Sequence, residues 1–277
     1  MDINSQNIAV LFRAIRKFNG LYQADFAKML GVTQGTISKI ESGLLSPELI
    51  LWFKFLKVFN IKDPYCFTYK GVEFGSDVFQ GMATKTSRLA PGFVFDEKNC
   101  ITTVRKVRPI FDYLMANNQK LLNKFLEKNS IAIELFYILN HPLNDEIVNL
   151  LFEFLDSHKF NSQFMNNVDF SFESTLGGFT DELQDKVGSS SFFSDILTVD
   201  GDFFVYENSS AKNQYFVSLL KKDFGKIKNL NSFDSILNYN LLFPYRAVKA
   251  IKGSESVGSP MIVQLKENQR WRVDYVS

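Results

Sequence analysis

Apolar residues in the first sixty positions recur at helical spacing. Ile8, Leu11, Phe12, Ile15 and Phe18 share one face, and Asn19-Gly20 closes the run, which predicts a first helix of about four turns. Residues 23–30 predict a short second helix with Phe26, Ala27 and Leu30 together, ending at Gly31. Gly31-Val32-Thr33 then makes a turn, because glycine accepts the left-handed conformation and threonine caps a following helix. In that third helix only Ile37 and Ile40 are apolar, so Gln34, Gly35, Thr36, Ser38 and Lys39 form an outward face. Ser46-Pro47-Glu48 predicts the cap and first position of a fourth helix, which carries Leu51, Trp52, Phe55, Leu56 and Phe59.

The pattern loosens after Ile61. Residues 63–100 contain Pro64, Gly71, Gly75, Gly81, Pro91 and Gly92, and their aromatic residues are too costly to leave in water. They predict an ordered connector with short strands at 66–69 and 93–95. Helical periodicity returns from residue 101. One or two helices are predicted by Val107, Ile110, Phe111 and Leu114 followed by Leu121, Leu122, Phe125 and Leu126. A short helix is expected around Ile133–Tyr137, and another begins at the Asn144-Asp145-Glu146 cap. Beyond Phe160 the alternation at 169–173, 196–199 and 203–206 predicts strands, the last two joined by an Asp200-Gly201 turn. Residues 214–224 read as helix, and 245–251, 261–265 and 271–276 as closing strands. The expected fold class is α+β overall: an all-α bundle at 1–62, the connector at 63–100, and a larger mixed α+β domain at 101–277 without internal repeats.

Of the 277 residues, 45% are hydrophobic, enough to bury a real core, and no apolar run approaches the roughly 20 residues that span a bilayer. Met1 to Asn7 lacks the basic and apolar regions of an export signal, so a cytoplasmic protein is expected, without a membrane partner. Cys66 and Cys100 are too few and too far apart for a disulfide framework or metal knuckle and read as reduced thiols. A net charge of +1 conceals an asymmetry. Eight lysines and arginines face four acids before residue 63, so only this first segment is suited to phosphates.

The series Gln23-x-x-Phe26-Ala27-x-x-Leu30-Gly31-Val32-Thr33-x-x-x-Ile37-Ser38-x-Ile40-Glu41-x-Gly43-x-x-x-Pro47 resembles the helix-turn-helix of Cro and phage-repressor-like regulators of the xenobiotic-response-element type. In such a module a small residue such as Ala27 lets two helices cross closely, Gly31 makes the turn and Ile37 anchors the reading helix. The resemblance covers residues 5–62. It implies a sequence-specific regulator of transcription that binds double-stranded DNA; because a single module reaches only one half-site, a homodimer held mainly by residues 101–277 is expected. It assigns Gln23 to a backbone phosphate and the face of Thr33, Gln34, Gly35, Thr36, Ser38 and Lys39 to the duplex. Glutamine suits adenine, a threonine methyl suits thymine, and lysine suits guanine acceptors or phosphate. Two positions depart from the family: Tyr22 stands where Ser or Thr usually caps the second helix, and Gly35 gives up one contact while permitting closer approach. Glu41 is expected to be structural.

Residues 101–277 show no catalytic constellation, so no enzyme, cofactor or metal is expected. His141 and His158 lack metal-ligand spacing and read as surface or capping residues. Thr175-Leu176-Gly177-Gly178-Phe179 lacks the lysine of a phosphate loop and reads as a turn, and Asp195, Asp200 and Asp202 are explained by the hairpin. The basic runs at 105–108 and 221–228 read as solvated faces. The segment is expected to dimerise. Its density of phenylalanine, 29 in the whole chain, also suits an apolar effector whose anionic group would meet Arg105, Arg108 or Arg246, or alternatively a protein partner.

Overall fold

The computed structural model describes residues 3–75, 78–79, 85–95, 100–160, 204–209, 213–219, 232–252, 258–265 and 270–275. The helices are α1 (Ile3–Phe18), α2 (Gln23–Leu30), α3 (Gln34–Glu41), α4 (Leu49–Val58), α5 (Val104–Asn117), α6 (Gln119–Lys128), α7 (Asp145–Ser157) and α8 (Phe233–Lys252), with a 3-10 segment at Ile133–Tyr137. The strands are β1 (Lys85–Thr86), β2 (Val94–Phe95), β3 (Cys100–Thr103), β4 (Pro142–Asn144), β5 (Phe204–Asn208), β6 (Gln214–Leu219), β7 (Pro260–Gln264) and β8 (Arg270–Tyr275). A helical N-terminal region is thus followed by mixed helices and sheets, the α+β class. Chain contacts form two compact units. The first contains the described residues up to 95 together with 103–142, and the second contains 100–102 and those from 143 onward.

In the first unit α1 is covered on more than one side, since Leu11, Phe12, Ala14 and Ile15 are all fully buried. Towards α2 and α4 lies an aromatic core, in which the Phe12 and Phe55 rings stack at 4.2 Å and Phe26 meets Phe12 edge-on at 5.9 Å. The other side of α1 rests on the 3-10 segment. There Lys17 pairs with the buried Glu134 at 2.7 Å, and Phe18 stacks on Phe74 at 4.7 Å. Near the start of α1 the Asn7 amide donates to the Phe67 carbonyl at 2.9 Å. The four N-terminal helices are therefore built into a larger unit.

The second unit is organised by a four-stranded antiparallel sheet in the order β5-β6-β8-β7, with Tyr206 opposite Val217 and Val217 opposite Trp271. The alternating burial of β6 and β8 puts Tyr215, Val217, Leu219, Trp271 and Val273 on the inner face. The Tyr206 hydroxyl donates to Asn240 of α8 at 3.2 Å. α7 meets α8 through Phe152 and Tyr239, whose ring centres lie 5.5 Å apart.

Several expectations are corrected. Residues 214–219 are strand β6, not helix; Phe216 on the outer face sits under the Arg270 guanidinium at 4.3 Å, which hides the alternation. Residues 245–251 lie within α8, which continues through Pro244. The segment 66–69 is a turn. Asp63 accepts from the Tyr65 N–H at 2.8 Å and from the Tyr69 hydroxyl, folding the chain back. α4 starts at Leu49 with Glu48 before it, and Ser46 bonds Ser5 at 2.6 Å instead of capping the helix. Strands are found at 94–95, 204–208, 260–264 and 270–275. The alternation at 169–173 and 196–199, the turns at 175–179 and 200–201, the aspartates 195, 200 and 202, and the basic run 221–228 lie outside the described residues.

Candidate nucleic-acid interface

The turn between α2 and α3 forms as its residues require. Gly31 has φ 69°, and its N–H and that of Val32 close the end of α2 on the Lys28 and Ala27 carbonyls at 3.2 and 3.0 Å. Thr33 is extended at φ −80°, ψ 155°, and its hydroxyl oxygen accepts from the Thr36 N–H at 3.1 Å, capping α3. The two hydroxyls of Thr33 and Thr36 also bond each other at 2.9 Å. Ile37 and Ile40 are fully buried beneath α3. Thr33, Gln34, Gly35, Ser38 and Lys39 are exposed and Thr36 is half-buried, so the expected reading residues share one accessible surface. No acid lies in the first turn of α3, leaving its positive end open to an anion.

Gln23 belongs to a network that sequence reading only partly anticipated. The buried Glu41 carboxylate accepts from Arg16 Nε at 2.6 Å, from Arg16 Nη2 at 3.0 Å and from Gln23 Nε2 at 2.9 Å. Arg16 Nη1 also donates to the Leu21 carbonyl at 3.0 Å. One carboxylate thus joins α1, the turn before α2, the first residue of α2 and the last of α3, fixing where α3 points. Glu41 is structural, as expected, while Arg16 was missed; its only sequence signal is a charge within the apolar run of α1. Tyr22 precedes α2 without a side-chain cap.

The family model of the helix-turn-helix, by that description, matches residues 12–65. An uncharacterized HTH-type transcriptional regulator of Methanocaldococcus jannaschii is 43% identical over 58 residues, which is 21% of this chain and 88% of that relative. The chain belongs to the helix-turn-helix family. No solved structure matches it. In this helix-turn-helix protein the match ends at residue 65, before α5, the sheets and α8.

Two of the residues offered as partners of an anionic effector, Arg105 and Arg108, are engaged within the fold. Arg108 is buried and donates to Asp112 at 2.7 Å, to the Lys70 carbonyl at 2.9 Å and to the Phe136 carbonyl at 2.8 Å. Arg105 pairs with Glu73, and Lys106 is buried. The run at 105–108 is therefore not a solvated face. His141 is not a surface residue either: its ring meets Phe18 edge-on at 6.0 Å, and burial drives its imidazole down to about 4. His158 does end a helix, with Nδ1 2.8 Å from the Phe154 carbonyl at the close of α7. Burial pushes the Cys66 thiol up, so it stays protonated. Among the described residues no His, Cys, Asp and Glu group is placed to hold a metal ion, and no helix is long and apolar enough to cross a membrane.

Proposed function

We propose that this helix-turn-helix protein is a transcriptional regulator that reads double-stranded DNA sequence with the outer face of α3. The observation that carries the reading is the capped, buttressed α3, whose apolar residues are buried while Gln34, Gly35, Thr36, Ser38 and Lys39 share the exposed side. Gln34 bonds an adenine edge, the Thr36 methyl meets thymine, and Ser38 and Lys39 reach bases or phosphate. The Thr36 hydroxyl is already tied to Thr33, which favours its methyl as the reading group. Gln23 keeps one amide hydrogen for a backbone phosphate while the other is held by Glu41. An eight-residue reading helix covers a single half-site, so the working species is a homodimer on two half-sites.

Titration of the full chain onto labelled duplex tests this reading. Gln34→Ala and Thr36→Ala each weaken the preferred site by about 1–3 kcal/mol and random duplex far less. Gln23→Ala weakens both to a similar extent, because its contact is to the backbone, and leaves the salt dependence unchanged, because glutamine carries no charge. Unchanged affinity for the preferred site in the Gln34 and Thr36 variants overturns the assignment of α3.

A further inference from the structure

Arg88 lies beyond the family match to residues 12–65, yet it rests on the turn that leads into α2. That turn closes when the Gly20 and Leu21 N–H groups donate to the Lys17 and Arg16 carbonyls at 2.9 and 3.0 Å. Gly20 has φ 64°, and a Cβ on it would stand 2.8 Å from Arg88 Nη1 and 3.2 Å from Cζ, so the missing side chain leaves room for the guanidinium. Both residues belong to the first unit. A fixed turn presents the arginine: Ser87 Oγ accepts from the Leu89 and Ala90 N–H groups at 3.4 and 3.2 Å, and the Ala132 N–H donates to the Leu89 carbonyl at 2.8 Å. Ser87, Leu89 and Ala90 are buried, whereas Arg88 is exposed and has no hydrogen-bond or ion-pair partner among the described residues. Its cationic neighbours differ, since Arg16 is held by Glu41 and Lys17 by Glu134.

We propose that Arg88 binds a DNA backbone phosphate beside the one held by Gln23, and so extends the DNA-binding surface beyond the helix-turn-helix match. The inference rests on the assignment of α3 as the DNA-reading helix. Gly20 stands three residues before Gln23, a separation that the chain limits to about 11 Å. Each strand of a duplex carries one phosphate per ~3.4 Å of axis, so an arginine resting on Gly20 has phosphates within reach when Gln23 is on the backbone. The residue type fits the task. A guanidinium offers a planar fork to two phosphate oxygens and releases a counterion on binding, which the uncharged Gln23 does not. The contact positions the protein without reading sequence. A purely structural use of the same geometry is to set a cation at the C-terminal end of α1, where it complements the helix dipole; that use would show in stability and not in binding.

Salt titration of full-chain binding to the preferred site and to random duplex tests it. For each half-site occupied, Arg88→Gln is expected to lower the slope of log affinity against log salt by about 0.9 and to weaken binding at 0.1 M salt roughly eightfold, on both duplexes alike. Arg88→Lys keeps the charge and is expected to keep the slope. Replacing one phosphate at a time by neutral methylphosphonate is expected to find a position that weakens the parent and leaves Arg88→Gln unaffected. An unchanged slope in Arg88→Gln, an equal loss in Arg88→Lys, or no such phosphate position would overturn the proposal. A lowered melting temperature with an unchanged slope would assign Arg88 to the α1 dipole instead. The DNA-reading assignment fails separately, through unchanged site preference in the α3 variants, so the two failures are distinct.

Discussion

Gly35 sits in the first turn of α3, where a side chain would fit. A Cβ there would meet only Thr33 Oγ1, at an ordinary 3.8 Å. Glycine in a helix lowers stability by about 0.5–1 kcal/mol relative to alanine, so the fold gains nothing from it. Close approach of DNA to the backbone is the reading that gives it a purpose. Gly35→Ala is expected to raise the melting temperature and weaken duplex binding together, checked by thermal denaturation beside fluorescence anisotropy. Glu41 behaves in the opposite sense. Its removal leaves Arg16 largely buried without its carboxylate, at a cost of roughly 3 kcal/mol, which urea denaturation of Glu41→Ala would measure. Gly31 and Thr33 were legible because their roles are local, a positive φ and a cap. Arg16 was not, since its partner lies 25 residues away.

At the scale of elements, legibility followed local pattern and failed where tertiary contacts disguised it. α2 and α3 appear with the expected bounds because a glycine and a cap punctuate them. α8 was misread because Pro244 lacks an N–H and ordinarily ends a helix. Tyr215, from strand β6, compensates beside it: its hydroxyl donates to the Leu241 carbonyl at 2.7 Å and accepts from the Tyr245 N–H at 3.2 Å, three residues before the proline and one after it. Nothing in the local sequence of α8 announces a hydroxyl supplied from another element. Tyr215→Phe keeps the ring and removes this brace, so it is expected to lower stability by about 1–3 kcal/mol in chemical denaturation while DNA binding at saturating folded protein is unchanged.

Across the whole molecule, the charge division anticipated a basic first segment, and the family match to residues 12–65 falls on that segment. What no local pattern carried is the integration of α1 into the larger first unit, through Lys17 with Glu134 and Phe18 with Phe74 and His141. His141 makes this junction sensitive to acid. Its imidazole falls from an ordinary 6.5 to about 4 on burial, so between those values the unfolded chain binds a proton that the folded chain does not. Stability is therefore fully present above about pH 6.5 and is lost as pH falls towards 4. About 2 kcal/mol of loss is expected between pH 7 and 5, and His141→Gln should flatten that part of the profile, with urea midpoints at both pH values as the check.

Selection of preferred sites from a random duplex library, run in parallel on the full chain and on Gln34→Ala, tests the reading of DNA by α3 most directly. The parent is expected to enrich a site of two related half-sites whose centres are about one helical turn apart. The variant should keep that spacing and lose preference at one base-pair position in each half-site, a discrimination worth about 1–3 kcal/mol. Recovery of an identical motif, with the same preference at every position, would contradict the account.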